Sequence, residues 1–246
     1  MNEVHELFDF FKDHLSIRAI AEELAVFQLD TYLSEMGNRN FQTAVVATPA
    51  GLMKFDAGDD RLMEIPADEV FSLNAPLLSV FPHIAEKRRV FLRSGGRVTH
   101  IATRSDLDKI PVRLALFGFV SVLETVLKEM VRTFVPKWEQ SLSSERLAAA
   151  RKLYRMKRSR SEEIDLVQCL HLADLGSVFS KEKRYRIFGN HLSRKAFDDT
   201  MRDLGKLRDA LAHSQDMLPF EWREISELIS FILHVLDTDF PSPTFK

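Results

Sequence analysis

Arg208, Asp209 and His213 lie near the end of the run Gly205-Lys206-Leu207-Arg208-Asp209-Ala210-Leu211-Ala212-His213-Ser214, and Ser214 closes it. These residue types can act together on a phosphodiester. Arginine is permanently cationic, and its planar fork matches phosphate oxygens. Histidine takes up and returns a proton near neutral pH. A phosphate clamp beside a proton shuttle is the minimum equipment for cleaving RNA without a metal. His213 would act as general base or acid, Arg208 would stabilise charge on the phosphorane oxygens, and Asp209 would orient one of them. Five positions along a helix turn a side chain about 500°, so Arg208 and His213 stand roughly 140° apart on an ideal wheel. Sharing one cleft therefore requires His213 at a helix end, or a cleft completed by a second chain. Ser214-Gln215-Asp216 and Pro219 predict such an end. The plainer alternative is a polar helix end with an ordinary histidine.

Three other features have residue types suited to chemistry or binding. Glu124 stands inside the apolar run from Val112 to Phe134. A buried carboxylate needs a partner, and Arg208 is the first candidate, as a structural ion pair. Arg151, Lys152, Arg155, Lys157, Arg158 and Arg160 form a basic stretch, the electrostatic footprint of a phosphate partner, although a solvated helix face carries the same residues and Glu162 and Glu163 dilute it. Thr103 and Asp106 are three apart where a strand meets a helix start, a place that favours anions; equally, Asp106 serves there as an N-cap. The remaining histidines show no ligand spacing for a metal, and Cys169 falls on an apolar stripe as a core residue.

The elements that position these residues divide the chain near residue 110. Apolar residues at helical spacing predict helices over 3–36. Phe41–Ala47 reads as a strand, with Leu52–Phe55 pairing back on it. Glu69–Leu73 is a further strand and Ala75–Glu86 a helix. Arg89–Arg93 and Val98–Thr103 form a hairpin around Ser94-Gly95-Gly96-Arg97, where the glycines accept positive φ. Beyond Pro111 nearly everything reads as helix: Val112–Phe134, Ser144–Arg160, Ile164–Phe179, Ser193–His213 and Pro219–Asp237, with Pro241-Ser242-Pro243 as an exposed tail. The class is α+β, with domains at 1–110 and 111–246.

Composition narrows the function classes. The 246 residues include 19 Phe, 3 Tyr and 1 Cys. One cysteine excludes a disulfide framework and suits a reducing cytoplasm. Met-Asn-Glu-Val-His-Glu lacks the basic start and apolar stretch of a signal peptide, so none is expected. The apolar run Val112–Val126 is expected to be interrupted by Arg113, Gly118, Ser121 and Glu124, so no membrane association is expected. Residues 1–110 carry 12 Lys and Arg against 17 Asp and Glu, and the remainder carries 22 against 19. A polyanionic partner therefore belongs to the second part.

Two resemblances follow from these motifs. Gly-Gly-Arg-Val-Thr-His-Ile-Ala-Thr-Arg-Ser-Asp-Leu, with the strand and helix before it, resembles the second half of a CBS (cystathionine β-synthase) module of βαββα order over residues 65–125. The resemblance implies an adenine nucleotide as regulatory ligand, with Asp106 on its ribose and Thr103 near its phosphate. Such modules work in pairs. The second would be a worn remnant around 17–55 or would come from another chain. Residues 111–240, ending in Leu-Arg-Asp-Ala-Leu-Ala-His-Ser before one more amphipathic helix, resemble a HEPN domain, whose motif is an Arg and a His four to six residues apart. The resemblance implies a homodimer that acts as a metal-independent endoribonuclease, needs no catalytic cofactor, and serves a toxin or defence role beside a cognate antitoxin or nucleotidyltransferase. The alternative is a non-catalytic nucleotide-sensing dimer that binds RNA or protein.

Overall fold

A computed structural model describes residues 2–189, 192–213 and 217–238. The class is mixed α and β, and the chain divides into two compact units. One comprises Lys12–Val112; the other joins Met1–Phe11 to Arg113–Lys246.

The Lys12–Val112 unit contains two four-stranded sheets. The first is built by β2 (Val26–Phe27), α2 (Tyr32–Asn38), β3 (Thr43–Thr48) and β4 (Gly51–Asp56), with β2 parallel to β3 and β3 antiparallel to β4. The second is built by β6 (Val70–Ser72), α3 (Leu77–Lys87), β7 (Arg89–Ser94) and β8 (Arg97–Thr103), again with one parallel and one antiparallel pair. The β-α-β-β order therefore occurs twice. The two copies also exchange their outer strands. β1 (Glu22–Glu23), just before the first copy, pairs with β8 of the second; β5 (Met63–Glu64), just before the second, pairs with β4 of the first. Gly95 and Gly96, at φ 58° and 79°, close the β7–β8 hairpin in the region that glycine adopts without a Cβ penalty.

The expected helices over 3–36 are corrected. α1 (Asn2–His14) forms, but Ile17–Ala19 is a single 3₁₀ turn, followed by β1 and β2. Ile17, Ile20 and Phe27 are buried as their spacing suggested. They are buried from a turn and short strands, because Ile17 N donates to Ala75 O at 2.9 Å and Glu22 and Glu23 pair with Ile101 and His100. Sheet partners far away in sequence override local periodicity.

The other unit is helical. α4 (Ile110–Phe134) contributes Leu116, Phe119, Val120, Leu123, Leu127 and Val131 to its core. α5 (Ser144–Arg158), α6 (Leu172–Lys181), α7 (Arg194–Ala212) and α8 (Trp222–Asp237) follow. α4 runs unbroken through Gly118 and Ser121, as its apolar pattern predicted. Among the described helices α4 alone is long and apolar enough to cross a membrane, yet half of its most apolar window is buried inside the protein. Phe8 and Phe11 of α1 pack edge-on against Phe119. α7 buries Phe197, Met201, Leu204, Leu207 and Leu211, the stripe its sequence shows.

The helix expected over 164–179 is also corrected. Val167–Cys169 forms a 3₁₀ turn, Leu170 and His171 are extended, and α6 starts only at Leu172. Two aspartates cause the break by bonding to nearby backbone, the competition that disfavours Asp inside helices. Asp165 accepts from Gln168 N at 2.9 Å, and Asp174 accepts from His171 N at 3.1 Å. α5 ends at Arg158 rather than Arg160; Ser161 follows with φ at 62°.

Candidate functional site

Within the helical unit, α4, α6 and α7 bound an open cleft of about 380 Å³. Phe117, Ser121, Glu124 and Thr125 line it from α4, Arg208 from α7, and His171 from the residue preceding α6. Each reaches the cleft for a local reason. Phe117, Ser121, Glu124 and Thr125 recur at helical spacing and so share one face of α4. The Ser121 hydroxyl donates back to Phe117 O at 2.8 Å, and the Thr125 hydroxyl to Ser121 O at 3.0 Å. Their donors are thereby spent, while oxygen lone pairs remain to accept. Leu207 and Leu211 turn inward on α7, which leaves Arg208 half-buried at the core's margin.

Arg208 has the contacts of a held but uncommitted cation. Its Nη1 lies 2.9 Å from Asp209 Oδ1, and its Nε lies 4.0 Å from Glu124 Oε2. Nε is shielded from solvent and has no hydrogen-bond partner among the described residues. Glu124 takes its closer contact from Lys128 Nζ, at 2.7 Å, one helical turn on. The expected Glu124–Arg208 pairing therefore exists as the longer of two contacts. Asp209 is exposed and orients Arg208 rather than His213.

His213 stands elsewhere. It is the C-cap of α7, and its N–H bonds to Asp209 O at 3.1 Å. Its side chain is exposed and does not line the Arg208 cleft. The helix ends where the sequence predicted, but the imidazole sharing space with Arg208 is that of His171. Sequence inspection passed over His171 because it has no spacing relationship to Arg208; the signal available was the pairing of His171 with Asp174, three apart at a helix start. Ser214 lies outside the described residues.

The basic stretch occupies α5 and the turn after it. Three of its six charges are engaged: Arg151 with Glu139 at 2.6 Å, Lys157 with Glu162 at 2.9 Å, and Arg158 with the Glu162 carbonyl at 3.5 Å. Lys152, Arg155 and Arg160 are exposed, with no ion-pair partner among the described residues.

In the two-sheet unit, Thr103 and Asp106 join strand to turn. One Asp106 oxygen accepts from Thr103 N at 2.7 Å and Thr103 Oγ1 at 2.8 Å; the other faces Lys109 Nζ at 2.6 Å. Asp106 is buried, with both oxygens committed. As they stand these residues do not offer a free carboxylate to a ribose. The first β-α-β-β copy repeats the arrangement at Asp56 and Asp59, where Asp56 N donates to Asp59 Oδ2 at 2.9 Å.

A buried charge cluster joins the two sheets. Lys54 Nζ lies 3.1 Å from Glu69 and 3.3 Å from Asp56. Arg89 donates to Glu69 at 3.0 Å and to Thr43 Oγ1 at 2.8 Å, and also pairs with Asp56. Two cations thus face two carboxylates. Sequence inspection did not find this cluster, since its members come from three strands and a turn.

No protein-family model, curated protein or solved structure matches the chain.

Proposed function

We propose that the helical unit binds RNA through its phosphates and cleaves it in the cleft bounded by α4, α6 and α7, with Arg208 as the phosphate clamp. The observation that carries this proposal is the half-buried guanidinium of Arg208, held by Asp209 and Glu124 on the wall of an open cleft, with Nε unspent. An anionic oxygen that reaches the guanidinium from the cleft would gain a charge-assisted bond. Glu124 and Asp209 partly neutralise Arg208, which favours a transient developing charge over tight storage of a phosphate. The exposed Lys152, Arg155 and Arg160 supply the wider electrostatic attraction for RNA. A homodimer belongs to this proposal, as do a cognate antitoxin or nucleotidyltransferase and a toxin or defence role.

The test is incubation of the protein with total RNA in EDTA. The expected products carry 2′,3′-cyclic phosphate and 5′-hydroxyl ends. Arg208→Ala should lower the rate by roughly 10²–10³-fold, as loss of one oxyanion donor does, while keeping the melting temperature of the parent. Absence of cleavage by the parent, or undiminished cleavage by Arg208→Ala, overturns the proposal.

A second reading has its own support, the doubled β-α-β-β order with exchanged outer strands. Paired CBS-like modules would use such a frame to sense an adenine nucleotide, and the protein would then be a non-catalytic regulator of RNA or a partner protein. Bound nucleotide would have to displace Lys109 or Thr103 from Asp106. Millimolar ATP, ADP or AMP should then raise the melting temperature of the whole chain; no shift counts against a sensing role.

A further inference from the structure

We propose that His171, rather than His213 of the same chain, is the proton-transferring residue of the Arg208 cleft. This inference rests on the RNA-cleaving function proposed above and gives that site its missing acid–base group. Arg208 holds charge, and Glu124 is committed to Lys128 and Arg208. Of the cleft-lining residues His171 is the one suited to shuttle a proton near neutral pH.

Its position is held from below. His171 is extended, immediately before α6, with its N–H on Asp174 Oδ2 at 3.1 Å. Asp174 is buried and anchored by Arg146 at 2.6 Å. α6 in turn is seated on α7, where Gly176 allows Met201 to approach closely. The backbone of His171 is thus fixed by two neighbouring elements while its ring remains exposed at the cleft, as a group meeting a substrate must be. The charged groups around it are Glu124 from α4, Arg208 from α7, and Asp174 with Arg146 on its own side.

The step balances without a co-reactant. The neutral imidazole of His171 takes the 2′-hydroxyl proton, and O2′ forms a bond to phosphorus. The P–O5′ bond breaks, and O5′ leaves as a hydroxyl by taking a proton from water. The imidazolium then returns its proton to the hydroxide so formed. Arg208 faces the non-bridging oxygens, where charge accumulates.

The experiment measures single-turnover cleavage of a short RNA in EDTA across pH, for the parent, Arg208→Ala, His171→Gln and His213→Gln. Binding of a 2′-deoxy-substituted oligonucleotide is measured in parallel. His171→Gln should cleave roughly 10²–10⁴-fold more slowly, bind the oligonucleotide like the parent, and lose the pH dependence of the parent's rate. His213→Gln should stay within a few-fold of the parent. Because His171 also begins a helix, His171→Ala with added imidazole provides the second readout. Imidazole should restore part of its cleavage, which repair of a merely structural defect would not do. If Arg208→Ala is inactive but His171→Gln cleaves normally, or if imidazole restores nothing, the assignment to His171 falls and the function stands. If the parent does not cleave, both fall.

Discussion

Asp56 shows how single residues stabilise the two-sheet unit. Its partial burial pushes its carboxyl up, but the hydrogen bond from Thr43 and the charges of Arg89 and Lys54 outweigh that cost and hold it below the ordinary aspartate value of 3.8. A depressed carboxyl contributes stability that is complete above the unfolded value and lost as pH falls through the folded one. Melting temperature should therefore fall as the pH drops below about 4. Asp56→Asn should start lower at neutral pH and fall less steeply. Some slope should persist, because Asp165 is held down by the same physics through its hydrogen bond from Arg132. An unchanged acid limb in Asp56→Asn would place the sensitivity elsewhere. Cys169, by contrast, has its thiol pushed up by burial, and sits on the apolar side of a turn as its sequence position suggested.

Between elements, the close seam is that of α6 with α7. A Cβ added at Gly176 would stand 2.9 Å from Met201 Cβ and 3.2 Å from its Cγ. Met201 Cβ is fixed to the backbone of α7, so relief requires the two helices to separate. Gly176→Ala should destabilise the protein by about 1–3 kcal/mol in chemical denaturation, the usual cost of overpacking, despite the better helix propensity of alanine. Because His171 precedes α6 and α7 carries Arg208, the same variant should cleave RNA more slowly than its remaining stability explains. Gly205, on α7, has open space where its Cβ would go. Gly205→Ala is the matched control, expected to be neutral or stabilising.

For the whole molecule, the proposed RNA surface rests on the exposed Lys152, Arg155 and Arg160 of α5 rather than on net charge, since the helical unit carries 22 Lys and Arg against 22 Asp and Glu. RNA affinity should fall with rising salt. Replacing Lys152, Arg155 and Arg160 together with alanine should reduce that slope by about 2, at roughly 0.7 per phosphate contact for a single strand. Affinity would fall similarly for all sequences, since phosphate contacts carry no base information. Arg151, already paired with Glu139, should contribute less to the slope than any of these three. A slope unchanged by the triple substitution would remove α5 from the RNA surface.

Some of this architecture was legible in the sequence alone, because it is encoded over short distances. The β7–β8 hairpin was readable from two glycines between apolar runs, and α7 from its stripe of Phe197, Met201, Leu204, Leu207 and Leu211. The end of α7 at His213 and the α+β class were equally readable, each resting on neighbours within a turn or two. Tertiary structure decided the rest. The segment 17–27 has helical spacing, yet its backbone pairs with residues 75, 99–101 and 45–46. The repeated β-α-β-β order was legible only as a worn remnant around 17–55, since the copies share a path and strand pairing more than side chains. The charge cluster of Lys54, Asp56, Glu69 and Arg89 needed two sheets to assemble it. Most of all, Arg208 and His213 are close in sequence but do not line one cleft, whereas Arg208 and His171, 37 positions apart, do. Sequence spacing reports which side chains share a helix face; only the packing of α4, α6 and α7 determines which of them share a cleft.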